Sequence, residues 1–410
     1  MRTPARTGAA LLTATLLTGL ATGPALADAT ASPSAAPVAP PAALYGKGDP
    51  TYDGVWRQSL ALTALTTAGV APADAAVDWL TGQQCADGGW PSFRADTATA
   101  CTAAAEDSNA TAVAVQALVA LGGHQDTVDK GVAWLKANQN ADGSWAYNPG
   151  NPGDADSTGL AVSALRAAKT DPTAVARSGR TGLQALAALQ AGCDTAADQR
   201  GGLAYQATAG TAPTANPLAT AQAALALAGG ELPVPAGSPD GAAPKACDAS
   251  ATPAENAAGY LDRTLSANGE HLMLAMPGAT PAPDFAATSW AALSLVRAGH
   301  PVQAKAAVDW LAANAGSWAK GAKGTDAAAT ATLVLAARAT GADPHAFGGT
   351  DLVKQLTEAG PAPKTPAAAP AAAGPGKKSG GSSSMWTIGV GLLIGLGGGL
   401  LISLNRKRAK

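Results

Sequence analysis

The stretch Asp107-Ser-Asn-Ala-Thr111-Ala-Val-Ala-Val-Gln-Ala-Leu118 decides the fold. An Asp ahead of an apolar-periodic run is a helix N-cap, because its carboxylate satisfies a free backbone N–H of the first turn. The apolar positions then recur at helical spacing. The same segment returns as Asp154-Ala-Asp156-Ser-Thr158 through Leu165, as Asp284 to Thr288 and Leu295, and as Asp326 to Thr330. Asn216, Thr220 and Leu227 form a fifth copy with Asn as the cap, and residues 56–68 a divergent first copy with Asp53 and Arg57 in the two places. A second helix follows each copy. These end in Val77-Asp-Trp79-Leu80, Val132-Ala-Trp134-Leu135, Leu183-Gln-Ala-Leu186, Gly259-Tyr260-Leu261 and Val308-Asp-Trp310-Leu311, with a sixth near Asp351 to Glu358. The sum is six helical hairpins and twelve helices, a repeat architecture.

The two kinds of connection differ. The link from a capped helix to its Trp-Leu partner is short, as in Ala298-Gly-His-Pro301. The return link is long, as from Gln84 to Glu106 or from Asn140 to Gly153. All the long loops therefore gather at one end, together with the capped N-termini. The tightest repeat intervals, 107 to 154 and 284 to 326, also suit an open HEAT-like solenoid.

The long loops begin Gln84-Cys-Ala-Asp87-Gly88-Gly-Trp90 and Gln139-Asn-Ala-Asp142-Gly143-Ser-Trp145, with a shortened form at Asn314-Ala-Gly316-Ser317-Trp318 and a degenerate one at Gly201-Gly-Leu-Ala-Tyr205. These resemble the QW repeats of squalene cyclases and protein prenyltransferase β subunits. The resemblance spans about 56–358 and implies an all-α fold, an α6/α6 toroid of six inner helices ringed by six outer ones. Asp-Gly suits a tight turn and the Trp can pack back on the outer helices, so the QW elements are expected to be structural.

In a closed ring, Asp107, Asp154, Asn216, Asp284 and Asp326 would surround one opening, with Thr111, Thr158, Thr220, Thr288 and Thr330 one turn deeper. Asp156 joins them through Asp154-Ala-Asp156. Helix N-termini present free N–H groups there. Long loops carrying Trp90, Trp145, Tyr147 and Tyr205 would complete a binding mouth. The competing reading is that each Asp only caps its helix and each Thr only packs within it. The chain is also similar to animal cobalamin carriers, exported toroids with Asp-Thr-rich inner-helix starts. That resemblance implies a corrinoid as bound ligand, and with no C-x-x-C spacing and no His beside a Cys at ligand spacing no protein metal site is expected. The β domain of those carriers has no counterpart here, so a partner is expected to be a β-domain protein or an uptake transporter.

Catalytic signatures are incomplete. The D-x-D-D acid of the cyclases reaches only D-x-D-S at Asp154 to Ser157, and His124, His271, His300 and His345 are scattered. No G-C-G-E-Q thioester, G-x-S-x-G or H-E-x-x-H is present. No catalytic residue is assigned. The expected role is binding, of a small molecule or a partner protein. The alternatives are a cell-envelope terpenoid cyclase or prenyltransferase-like enzyme, and a purely structural or interaction module.

The two ends set the expected compartment. Arg2 and Arg6, an apolar run and Ala25-Leu26-Ala27 have the form of a signal peptide over 1–27. Trp386 to Leu404 carries no charge, long enough at about 28 Å to span a bilayer, and Arg406, Lys407, Arg408 and Lys410 follow. Basic residues stay cytoplasmic, so the N-terminal mass faces outward. Gly391, Gly395 and Gly399 form GxxxG pairs through which two such helices can dimerise. The divisions are signal peptide 1–27, Ala/Pro/Ser linker 28–43, toroid 44–359, flexible linker 360–385, transmembrane helix 386–404 and basic cytoplasmic tail 405–410. A net charge of −2 argues against nucleic acid. Four cysteines in an exported chain read as two disulfides, with three pairings open and Cys85–Cys101 with Cys193–Cys247 favoured because each clips a loop between neighbouring helices.

Overall fold

The computed structural model describes residues 38–275 and 280–364. The expected signal peptide, the membrane helix with its GxxxG pairs and the basic tail lie outside the described residues. Among the described residues, no helix is long and apolar enough to cross a membrane.

The regular secondary structure of the described chain is almost entirely helical, with four strands of only two residues each. The capped helices are α1 Gly54–Thr67, α3 Ser108–Leu121, α5 Ala155–Ala167, α7 Pro217–Leu227, α9 Phe285–Arg297 and α12 Ala327–Thr340. Their partners are α2 Asp74–Gly82, α4 Gln125–Ala137, α6 Gly182–Ala188, α8 Pro253–Ala267, α10 Pro301–Asn314 and α13 Leu352–Glu358. One further short helix, α11 Gly316–Lys320, is the shortened QW turn wound into a helix.

The capped helices pack in the order α1, α3, α5, α7, α9, α12, and α12 returns to α1. The ring closes, and the open solenoid is excluded. Each partner helix packs on the outside of its own capped helix. Alanine on the inner helices allows this close approach. Gly159 of α5 lies so near α7 that a Cβ would stand 3.0 Å from the Ala223 Cα. Ser294 Oγ of α9 donates to the Ala221 carbonyl of α7 at 2.6 Å, and the core is contiguous around the ring.

The QW turns staple the two layers together. Trp90 Nε1 donates to the Leu80 carbonyl at the end of α2, and Trp145 Nε1 to Leu135 at the end of α4. Gln84 Nε2 bonds the Gly88 and Thr127 carbonyls, and Gln190 Nε2 those of Gly201 and Pro253, so the glutamine ties its turn to the start of the next outer helix. Gly88 and Gly143 have positive φ and press on the backbone of Lys130 and Thr181, where no side chain fits.

One expectation about the connections is corrected. The link from capped helix to partner is not uniformly short: residues 228–252 separate α7 from α8, and 168–181 separate α5 from α6. The first of these forms a strap across the lower end of the ring. Its Leu232 N–H donates to Gln116 Oε1 of α3 at 2.8 Å, and its Gly237 N–H to the Ala339 carbonyl of α12. Leu232 and Val234 are part of the core. Both favoured disulfides form, Cys85–Cys101 and Cys193–Cys247, the second holding the far end of this strap.

Candidate functional site

The N-termini of the inner helices share the upper end of the ring. Asp107 accepts from the backbone N–H of Asn109 and Ala110, Asp154 from Ser157, Asn216 from Ala219, Asp284 from Ala287 and Asp326 from Ala329. All five are N-caps. Their burial is uneven: Asp107 and Asp154 are buried, Asn216 and Asp284 half-buried, and Asp326 exposed. Asp53 makes no capping bond and pairs instead with Arg57 at 3.0 Å.

The five threonines do not line the mouth. Thr111, Thr158, Thr220, Thr288 and Thr330 are each fully buried. Thr111 Oγ1 accepts the Trp90 N–H at 2.9 Å, Thr158 that of Trp145 at 3.0 Å, Thr220 that of Leu203 at 2.8 Å and Thr288 that of Leu272 at 2.9 Å. Thr330 donates to the Ala319 carbonyl and accepts from Gln355 Nε2. The physical reason is rotational. Four residues after the cap, the side chain points outward to the QW turn. Leu203, rather than Tyr205, thus occupies the tryptophan position of the degenerate repeat. Trp90 and Trp145 are also fully buried and leave the list of rim aromatics. Tyr147 and Tyr205 stay on the rim, 42% and 43% exposed.

The position two residues after the cap lies about 200° from the threonine and so faces the lumen. In α3 that residue is Asn109 and in the adjacent α5 it is Asp156. Asn109 Oδ1 and Asp156 Oδ1 are both buried without a hydrogen-bond partner. Burial, and after it the charge of neighbouring Asp154, pushes the Asp156 carboxyl up to about 7. Asp154 is raised by burial and held back by its bonds to Ser157, whose Oγ donates at 2.8 Å. Tyr205 feels both carboxylates, its phenol raised by burial and then by Asp154 and Asp156. On the other side Ser92 Oγ lies 3.0 Å from Asp107 Oδ2 and 3.1 Å from the Tyr147 hydroxyl. Asn109 and Ser92 were not singled out in the sequence. Asn109 could have been found, since it holds the repeat position of Asp156.

Trp56 of α1 and Trp290 of α9 meet with ring centroids 6.4 Å apart. Their helices flank α12 in the ring, so the pair meets inside it, in front of the small Ala328 and Thr332. On the rim, Phe285 stacks on Trp310 and Trp318, and Trp310 on His271.

Residues 40–160 match the squalene-hopene cyclase C-terminal domain family. That family belongs to the prenyltransferase and squalene cyclase superfamily. No curated protein matches the chain in sequence. Among solved structures, a protein from Actinoplanes is 15% identical at a TM-score of 0.46, covering 74% of this chain and 95% of its own. A glycosidase is 12% identical at a TM-score of 0.42, covering 70% of this chain and 87% of its own.

Proposed function

We propose that the protein is a membrane-anchored extracellular binding protein whose ring captures a small molecule at its mouth, with a corrinoid as the first candidate, for delivery to an uptake transporter or a β-domain partner. The observation that carries this reading is the pair of unpartnered acceptors, Asn109 Oδ1 and Asp156 Oδ1, on neighbouring lumen faces. A buried acceptor without a partner costs about 1–3 kcal/mol, which a ligand N–H or O–H would offset. The peripheral amides of a corrinoid present such donors. The strap below and the tryptophan pair within leave the upper end as the approach. Two disulfides fit an oxidising compartment. Isothermal titration of the full chain with cobalamin and related corrinoids tests this. Micromolar binding weakened by Asp156→Asn is expected; no heat at micromolar ligand would sink the corrinoid.

One observation favours a second reading. A carboxyl pushed up to about 7 keeps its proton near neutrality, as an acid catalyst for olefin protonation requires. Product formation from squalene or prenyl diphosphates, abolished by Asp156→Ala, would establish it.

A further inference from the structure

Where the ring closes, between α1 and α12, the N-terminal segment 46–53 and the loop 321–327 enclose a cleft of about 370 Å³. Beside it the Gly46 N–H donates to the Ala359 carbonyl at 2.9 Å. In the ring order, α12 stands opposite α5, so this cleft lies across the mouth from Asp156.

Formally the cleft holds three cations and three carboxylates, but they are not equally committed. Asp49 accepts from the Thr51 N–H, the Thr51 hydroxyl and the Val38 N–H. Asp53 is paired with Arg57, and Asp326 caps α12. The cations differ. Lys47 and Lys323 are exposed and make no hydrogen bond or ion pair among the described residues. Arg57 is only 4% exposed, and its Nε is buried without a partner while Nη1 and Nη2 bond Asp53 and the Gly48 carbonyl. The loop ahead of α12 is Gly321-Ala-Lys323-Gly324-Thr325, with positive φ at both glycines. Ala327, the first residue of the fourteen-residue α12, lines the cleft, and the Asp326 carboxylate already caps that helix N-terminus.

The geometry points to a second site at this seam, a subsite for a phosphate or phosphate ester. Two exposed ammonium groups outside any ion pair, Lys47 and the Lys323 whose charge acts on Asp49, and a buried guanidinium suit a compact anion with several acceptor oxygens. The volume leaves room for an organic group beyond the phosphate. The phosphate could be that of a soluble ligand or of a phospholipid headgroup, and both would present the same oxygens to Lys47 and Lys323. The inference does not rest on the corrinoid reading, since none of its residues belongs to the Asn109 and Asp156 corner.

The test uses the full chain in an uncharged detergent, titrated with inorganic phosphate and, separately, with short-chain phosphatidylglycerol and phosphatidylcholine, followed by calorimetry and ³¹P NMR. Saturable binding is expected, weakened by about tenfold or more in Lys47→Ala/Lys323→Ala and unchanged in Asp156→Asn. Both lysines are exposed, and circular dichroism of the double variant checks its fold. Binding of inorganic phosphate assigns the site to soluble phosphates. Binding of phosphatidylglycerol without inorganic phosphate assigns it to a headgroup. No binding of any of them, or binding that the double variant retains, overturns the proposal. Loss of corrinoid binding in Asp156→Asn with phosphate binding intact separates the two sites.

Discussion

Thr158 Oγ1 stands 3.0 Å from the backbone nitrogen of Trp145 and accepts its N–H. The bond joins an inner helix to a turn whose indole is fastened to the outer layer. Replacing Thr158 with Val keeps the shape and removes the acceptor, leaving a buried N–H unsatisfied. Destabilisation by about 1–3 kcal/mol is expected in urea unfolding. A Thr158→Val chain of wild-type stability would show that the threonine does not hold the turn.

Gly182 opens α6 under the Trp145 ring. A Cβ there would lie 2.6 Å from Val162 Cγ2 and 2.8 Å from Trp145 Cζ3. Gly182→Ala should cost about 1–3 kcal/mol through overpacking, even though alanine is the better helix former. Chemical denaturation read by tryptophan fluorescence decides the sign.

Asp156 makes stability depend on pH in a set direction. Its folded pKa of about 7 lies above the ordinary 3.8, so the native state holds a proton that the unfolded chain has released. Stability therefore falls as pH rises from about 4 to 7, then levels off. Asp156→Asn should remove that loss, raising the melting temperature by about 5 °C at pH 8 and little at pH 4. Equal shifts at both pH values would exclude a raised pKa. Glu106, pushed up to about 7 by burial and then by Asp87, slopes the same way, so the double variant with Glu106→Gln should be flatter still.

The two disulfides should contribute unequally. Cys193–Cys247 closes a separation of 54 residues and Cys85–Cys101 one of 16. Loop-closure entropy gives the longer clip an advantage of about 1 kcal/mol. Unfolding of the two double-serine variants measures it. The Cys193→Ser/Cys247→Ser chain should be the weaker, since it also frees the strap under the ring.

Much of this protein was legible in its residues alone. Asp107, Asp154, Asn216, Asp284 and Asp326 announced the inner helices because capping is local chemistry between a side chain and the next three N–H groups. The Gln84 and Gln139 turns announced the outer layer for the same reason, and the favoured cysteine pairs joined loops close in the repeat. The direction in which a side chain leaves its helix was within reach but was misread: the threonines were placed in the mouth, though four residues past the cap is the outward face.

Other features depend on which distant segments meet. Ring closure, expected from six units and their QW turns, is realised where α12 packs on α1. The strap at 228–252 reaches Gln116 and Ala339, contacts with no local signature. The raised carboxyl of Asp156 comes from burial within the assembled ring and from the charge of Asp154, and the seam cleft joins residues 46–53 to 321–327. Sequence by itself determined the helices, their caps and their turns, because those bonds form between near neighbours. Tertiary structure alone decided the plugged lower end and which polar atoms were left without partners, because desolvation and long-range packing exist only once the chain has closed on itself.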